Sequence, residues 1–240
     1  MALIIDNKKL SEGIFLMRVS SDLRPARPGQ FVMLRPKGDG LFLSRPISVM
    51  DCENGVWTFL YKTVGKGTEA MSELRPGDEI HMFGPMGRGF CEVISSERIR
   101  RAVLIGGGMG IAPMYSLAKA LRKTGAHVKI HLGFTEEPIL RREFADVADE
   151  LMINVGGYVT DDVKFDGGTV FFACGPTPMM RAAAGKAREA GAEMVVSLES
   201  RMACGLGACL GCTIDTTLGS KSVCKDGPCF RYEEVTDLGK

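Results

Sequence analysis

Four cysteines, Cys204, Cys209, Cys212 and Cys224, follow the spacing C-x4-C-x2-C…C within a stretch that reads ESRMACGLGACLGC and resumes as VCKDGPCF. Few features restrict a fold more, because all four thiols must converge while the chain between them stays short. The spacing suits a [2Fe–2S] centre of the plant-ferredoxin kind. Zinc is a competing reading, but zinc ribbons usually pair two CxxC knuckles and only Cys209 and Cys212 form one here. Unrelated buried thiols are the third. Gly205, Gly207 and Gly211 favour the cluster, because loops without Cβ atoms can turn backbone N–H groups toward negatively charged sulfur. His81, His127 and His131 lie far from the segment, which disfavours a mixed histidine–cysteine centre. Cys229 is a fifth nearby thiol, read as a bystander.

The rest of the chain must bring electrons to this stretch or take them away. At 240 residues and 45% apolar composition, it is long enough for two globular cores. Lys+Arg of 30 against Asp+Glu of 29 excludes the strongly basic character of a nucleic-acid binder. MALIIDNKKL has a brief apolar run with its charges after it, unlike a secretory signal, and no stretch is long enough to span a membrane. Eight cysteines without a secretory signal point to a reducing compartment, with the cytoplasm expected.

Residues 1–98 carry short apolar segments, Gly13–Val19, Phe31–Leu34, Ile47–Met50, Val56–Tyr61 and Glu79–Phe83. Turns at Arg27-Pro28-Gly29, Gly38-Asp39-Gly40, Asn54-Gly55 and Arg75-Pro76-Gly77-Asp78 separate them. This pattern predicts a small antiparallel barrel or sandwich with one helix over Thr68–Leu74. Polar residues around Ser95–Arg101 mark a boundary. Beyond it, strands at Ala102–Ile105, Val128–Gly133, Leu151–Val155, Val170–Ala173 and Met194–Leu198 alternate with helices at Met114–Arg122, Arg141–Glu150 and Pro178–Ala190. Alternation of this kind predicts a parallel sheet covered on both faces. The expected organisation is α+β with two domains: a barrel over 1–98, an α/β domain over 99–199 and a cysteine segment over 200–240.

Three further motifs carry chemistry. Arg45-Pro46-Ile47-Ser48 offers a guanidinium for a pyrophosphate and backbone for a flavin ring, against the plain reading of a surface arginine after a turn. Lys62-Thr63-Val64-Gly65-Lys66-Gly67-Thr68 leads into a helix, with Thr68 expected as its N-cap and the helix start as a phosphate site. Gly106-Gly107-Gly108-Met109-Gly110-Ile111-Ala112-Pro113 follows a strand and opens a helix. It departs from G-x-G-x-x-G at Ile111, so it reads as a nucleotide-binding glycine loop of another register or as a tight packing turn. Cys174-Gly175-Pro176 ends a buried strand at what would be the carboxyl edge of the sheet, where open α/β folds bind ligands.

In this order RPIS, KTVGKGT, GGGMGIAP and CGP resemble the ferredoxin-reductase superfamily, and the appended cysteine stretch resembles the electron-transfer subunits of the NAD-dependent (B-type) dihydroorotate dehydrogenases over essentially the whole chain. The resemblance implies an FAD-binding barrel, an NAD-binding α/β domain and a [2Fe–2S] segment. Arg45, Pro46, Ile47 and Ser48 would contact FAD, Leu60, Tyr61 and Lys62 would run along its isoalloxazine and ribityl chain, and Gly67 and Thr68 would hold its phosphates. Gly106, Gly107, Gly108 and Gly110 with Cys174, Gly175 and Pro176 would frame the NAD pocket, Cys174 as the candidate catalytic residue. Cys204, Cys209, Cys212 and Cys224 would be the cluster ligands.

The resemblance further implies a partner, an FMN-containing dihydroorotate dehydrogenase catalytic subunit, in a heterotetramer of two plus two. Electrons would pass from it through the cluster and FAD to NAD+ in de novo pyrimidine (UMP) biosynthesis, without nucleic acid or membrane. An alternative is an NAD(P)H:ferredoxin oxidoreductase-type subunit serving a different redox partner; a zinc-stabilised binding module is a third class. Two departures stand out: Cys229 takes a position that is often apolar, and the superfamily's C-terminal aromatic is absent. Glu136 and Glu137 lean the dinucleotide choice toward NADH by repelling a 2′-phosphate. Met202, Leu206 and Leu210 are expected at the partner interface.

Overall fold

The computed structural model describes residues 1–38 and 40–238, so Asp39 of the expected Gly38–Gly40 turn lies outside the described residues. Six antiparallel strands close into a barrel: β1 (Ala2–Ser11), β2 (Ile14–Ser20), β3 (Phe31–Pro36), β4 (Arg45–Glu53), β5 (Val56–Lys62) and β6 (Glu79–Met86). Their order is β1-β2-β5-β4-β3-β6, and Ala2 pairs with Ile80 to shut the ring. Alternation along the strands sends Met17, Val19, Trp57, Phe59 and Tyr61 into the barrel core. The first strand escapes a sequence reading because its apolar run ends at Ile5 and the polar Asp6-Asn7-Lys8-Lys9 follows. Both its edges find partners, and Ala2 and Ile4 are buried in the barrel core.

A short helix, α1 (Lys66–Ser72), plugs the barrel between β5 and β6. It starts two residues earlier than expected, and Thr68 is not its N-cap. Gly65 is, and Thr68 sits in the first turn with Oγ1 accepting the Val64 and Gly65 N–H groups at 2.8 and 3.2 Å. The hydroxyl therefore satisfies the approach to the helix from inside it.

A four-residue helix, α2 (Phe90–Val93), leads to the second layer. There β7 (Arg101–Gly107), β8 (His127–Phe134), β9 (Glu150–Val155), β10 (Val170–Cys174) and β11 (Glu193–Ser197) pair in parallel in the order β11-β10-β7-β8-β9. One face packs on α3 (Ala112–Lys123) and α4 (Arg141–Asp146), with Leu117, Leu121 and Phe144 fully buried. The other packs on α5 (Thr177–Glu189) through Met180, Ala183, Ala184 and Ala187. The helix expected over Arg141–Glu150 ends at Asp146, and Glu150 already belongs to β9.

The cysteine segment forms a hairpin, β12 (Thr213–Thr216) with β13 (Gly219–Ser222). It then returns as β14 (Cys229–Arg231), antiparallel to β11 at the sheet edge. That return is why the segment sits against both layers. Barrel and sheet share one core: Met50 and Leu60 of the barrel pack in the same cluster as Leu117, Leu104 and Phe172. Across the same seam Lys119 Nζ reaches Asp51 Oδ2 at 2.7 Å and Glu53 Oε1 at 2.8 Å.

Candidate cofactor cleft and cysteine loop

Because β7 and β10 are adjacent and their crossovers go opposite ways, the carboxyl edge opens at that pair, the switch point where doubly wound sheets bind ligands. The two loops leaving those strands meet backbone to backbone. A Cβ on Gly110 would overlap the Cys174 carbonyl, and one on Gly107 would stand 2.6 Å from Met179 Sδ. Gly106–Gly110 and Cys174–Pro176 thus form one surface.

A cleft of about 320 Å³ lies between this edge and the barrel. Arg45, Pro46, Ile47, Ser48, Leu60, Tyr61, Lys62 and Thr68 line its barrel side, and Cys174 with Met109 lines the sheet side. The volume falls in the range of ordinary cofactor sites. Sequence reasoning placed the first eight and Cys174 but missed Phe31, Ser197, Glu199, Met202 and Pro228, which the fold delivers from β3, β11 and the cysteine segment. Gly106, Gly107, Gly108, Gly110, Gly175 and Pro176 stand behind Met109 and Cys174 and do not line the cleft themselves.

Arg45 is the best-placed cation. Its guanidinium lies over Gly67, where a Cβ would overlap it, and Nη1 donates to the Leu43 carbonyl. The arginine motif and the glycine-helix motif, far apart in sequence, therefore make one anion-accepting corner with the exposed Lys62 beside it. Tyr61 differs in role: its ring stacks on Phe15 and its hydroxyl donates to Asn7 Oδ1 at 3.0 Å, inside the barrel. It offers the cleft its backbone, and burial pushes its phenol up to about 12.

On the sheet side, burial pushes the Cys174 thiol up to about 12, with the Glu199 carboxylate adding to the shift. Cys174 is therefore a neutral thiol at ordinary pH rather than a nucleophilic thiolate. Glu199 is itself raised by desolvation at the cleft wall.

The cysteine loop wraps its sulfurs in amides. Leu206 N–H and Cys209 N–H donate to Cys204 Sγ at 3.3 and 3.5 Å, Gly207 N–H to Cys224 Sγ at 3.1 Å, and Cys224 N–H to Cys212 Sγ at 3.4 Å. The Leu206 amide, followed by Cys209, draws the Cys204 thiol down to about 6, while burial raises Cys224 to about 11. Among the described residues no three metal-binding side chains converge on a single point. Cys209 acts on Cys204, and Cys212 and Cys204 both act on Cys224, so the four thiols are neighbours in one loop. N–H groups aimed at sulfur are the donors that an iron–sulfur centre uses. The donor set fits the cluster.

Residues 199–236 match the iron–sulfur cluster binding domain of dihydroorotate dehydrogenase B. The "Dihydroorotate dehydrogenase B (NAD(+)), electron transfer subunit" of Clostridium perfringens (strain 13 / Type A) is 38% identical, covering 96% of this chain and 95% of that protein. Its namesake in Clostridium acetobutylicum is 36% identical over 97% and 95%. Among solved structures, an NADH-dependent reduced ferredoxin-NADP oxidoreductase studied for flavin-based electron bifurcation superposes with a TM-score of 0.85 at 34% identity, covering 98% of this chain and 89% of that one. A ferredoxin NADP+ reductase from Neisseria gonorrhoeae, with bound FAD and NADP, shares the fold at a TM-score of 0.67 and 16% identity, over 79% and 90%. Near full-length identity to proteins of one name, together with the cysteine domain they share, places this chain in the family of dihydroorotate dehydrogenase B electron transfer subunits.

Proposed function

We propose that this chain takes electrons from an FMN-bearing dihydroorotate dehydrogenase subunit at its cysteine loop and delivers them to NAD+ at the sheet edge, within pyrimidine biosynthesis. One observation carries the reading. The cleft lined by Arg45–Ser48 and Cys174 also touches Phe31 and Met202, which pack directly on the cysteine core, so a single cavity reaches both loops.

In this reading Arg45, Lys62, Gly67 and Thr68 hold the phosphates of FAD, while Pro46, Ile47, Ser48, Leu60 and Tyr61 fix its ring along β4 and β5. Bound FAD would supply the exchange between hydride and single electrons that nicotinamide and iron each require. Gly106, Gly107, Gly108, Gly110, Gly175 and Pro176 let NAD approach the backbone closely. Cys174 presents an uncharged thiol where the nicotinamide would lie and keeps water and negative charge out. Cys204, Cys209, Cys212 and Cys224 bind the [2Fe–2S] centre, the first as a ready thiolate and the last shielded from solvent. The units correspond to 1–98, 99–199 and 200–240, with β14 tying the third onto the second.

Leu206 and Leu210 are 57% and 64% exposed at the cysteine loop, whereas Met202, expected with them, is half-buried and packs inward on the cluster of Phe31, Met33 and the cysteines. The two leucines support docking of the partner there, in a heterotetramer of two plus two. No helix among the described residues is long and apolar enough to cross a membrane; the reading places the complex in the cytoplasm, where thiols stay reduced.

The test is anaerobic purification alone and with the FMN subunit. Flavin absorbance, stoichiometric iron and acid-labile sulfide, and NAD+ reduction by dihydroorotate only in the joint preparation are the expected results. A colourless chain, or one that forms no complex, defeats the reading. The similarity to the NADH-dependent ferredoxin-NADP oxidoreductase favours one second reading, a subunit serving a different partner. It predicts electron exchange with ferredoxin and none with dihydroorotate.

A further inference from the structure

Two cavities approach the cysteine loop from different sides. The cofactor cleft reaches it through Phe31 and Met202. An open groove of about 730 Å³, between Pro85–Arg88 and the β12–β13 hairpin, reaches it at Met86, Gly205 and Cys224. What separates them is a wall of apolar side chains, Phe31, Met33 and Met86 with Met202 beside them, packed on Cys212 and Cys224. Phe31 and Met33 are 3% exposed and Met86 is 8% exposed.

Barrel register builds this wall. Phe31 pairs with Met86 across β3 and β6, and with Ser48 of the cofactor cleft on its other side. The cysteine loop is pressed onto it. Gly205 has φ +70°, and a Cβ there would stand 2.8 Å from Met86 Sδ and 3.0 Å from Met33 Cγ. Only glycine allows both that backbone and that approach. A thioether has no N–H or O–H to donate and accepts weakly, so the wall contributes neither donors nor water.

Two opposing influences therefore act on a centre held by these cysteines. Amide N–H groups from Leu206, Gly207, Cys209 and Cys224 favour added negative charge. The dry wall opposes it, because charge is less stable where water is excluded. Reduction adds negative charge to a centre already ringed by thiolates, so solvent access raises its potential and dryness lowers it. Met86 is where this balance is most exposed, for one side of it faces the open groove and the other faces Gly205 and the thiols.

We propose that Met86 is a water gate which keeps the groove's solvent off the buried, Cys212 side of the cluster, while Cys209 on the far side stays exposed, and so holds the cluster's reduction potential down. This rests on the assignment of the four cysteines as cluster ligands. EPR-monitored redox titration of the full-length, iron-loaded chain tests it, with Met86→Gln and Met86→Leu beside the wild type. Met86→Gln is expected to shift the cluster midpoint to higher potential and to increase the coupling of exchangeable deuterons to the reduced-cluster signal in D2O. Met86→Leu, equally dry, keeps the wild-type midpoint. Should Met86→Gln fail to load iron, Met86→Ala opens the wall without burying a polar group and must show the same positive shift. An iron-loaded polar or alanine variant at the wild-type potential overturns the gate, as does a leucine variant that moves as far. Wild-type chain without iron and sulfide overturns the ligand assignment instead, a result distinct from these.

Discussion

Arg45 and Gly67 occupy one space: the guanidinium rests on the glycine where any other residue would place its Cβ. Two motifs more than twenty residues apart thereby meet in one corner, the anion site proposed above. Removing either half should empty it. Arg45→Ala is expected to weaken flavin binding by about 1.5–3 kcal/mol, the worth of a charge-assisted hydrogen bond. Gly67→Ala should do comparable damage with no charge removed, because it evicts the guanidinium. Flavin retained after gel filtration, and its affinity for the stripped protein, measure both; a Gly67→Ala chain that holds flavin as tightly as wild type contradicts the shared corner.

Leu210 projects from the cysteine loop with φ +57°, and the Thr213 N–H and hydroxyl both donate to its carbonyl. Aspartate tolerates that backbone conformation, so Leu210→Asp changes the surface without disturbing the turn. We expect partner affinity to fall by about 1–3 kcal/mol, as when an apolar side chain is removed from the centre of an interface, with flavin and iron content unchanged. Undiminished co-purification of the FMN subunit would place the interface elsewhere.

Lys119 joins the two layers through Asp51 and Glu53 with only 19% of its side chain exposed. Lys119→Met leaves the two carboxylates facing one another and should cost about 1–3 kcal/mol, between the values for exposed and buried pairs. Urea denaturation gives the number. Asp51→Asn in the same background should recover part of it, and a strictly additive double mutant would show that the pair does not interact.

His131 lies on β8 with 2% exposure and no partner for Nδ1. Burial, followed by the nearby Lys129, pushes its imidazole from 6.5 down to about 4, against weaker opposing pulls from Asp162 and Glu150. Between those values the unfolded chain binds a proton that the folded chain refuses. Stability contributed by the neutral ring is therefore present above pH 6.5 and is lost as pH falls toward 4, by about 2–3 kcal/mol in all. Urea unfolding at pH 7 and pH 4.5 should show that loss in the wild type and a shallower one in His131→Gln. Parallel slopes in the two proteins would remove His131 as the cause.

Chemistry written in short contiguous stretches was readable in advance. Cys204–Cys224, Arg45–Ser48, Gly67-Thr68 and Gly106–Gly110 each need only their own spacing to declare a thiol set, a cation or a bare backbone, and the structure lays Arg45 on Gly67 and the Gly106–Gly110 loop against Cys174. The alternation of apolar segments likewise marks barrel strands and then a parallel sheet, because periodicity records which side of an element faces a core.

What tertiary structure alone decided is who meets whom. Locally Ala2–Ser11 offers only a four-residue apolar run; its full length as a strand comes from pairing with β2 and from closure against Ile80. Thr68 reads as a cap until Gly65 takes that position. Cys229 reads as a stray thiol, yet its strand docks on β11 and carries the cysteine loop to the sheet. Ser197 and Glu199 join Cys174, Phe31 joins the cysteines, and Cys229 meets Gly29 across 200 residues, pairings that depend on the packing of distant faces rather than on any residue's neighbours in the chain. Sequence determined the ligands that each loop could offer; the closing of the barrel and the return of β14 decided that those loops stand around one cleft.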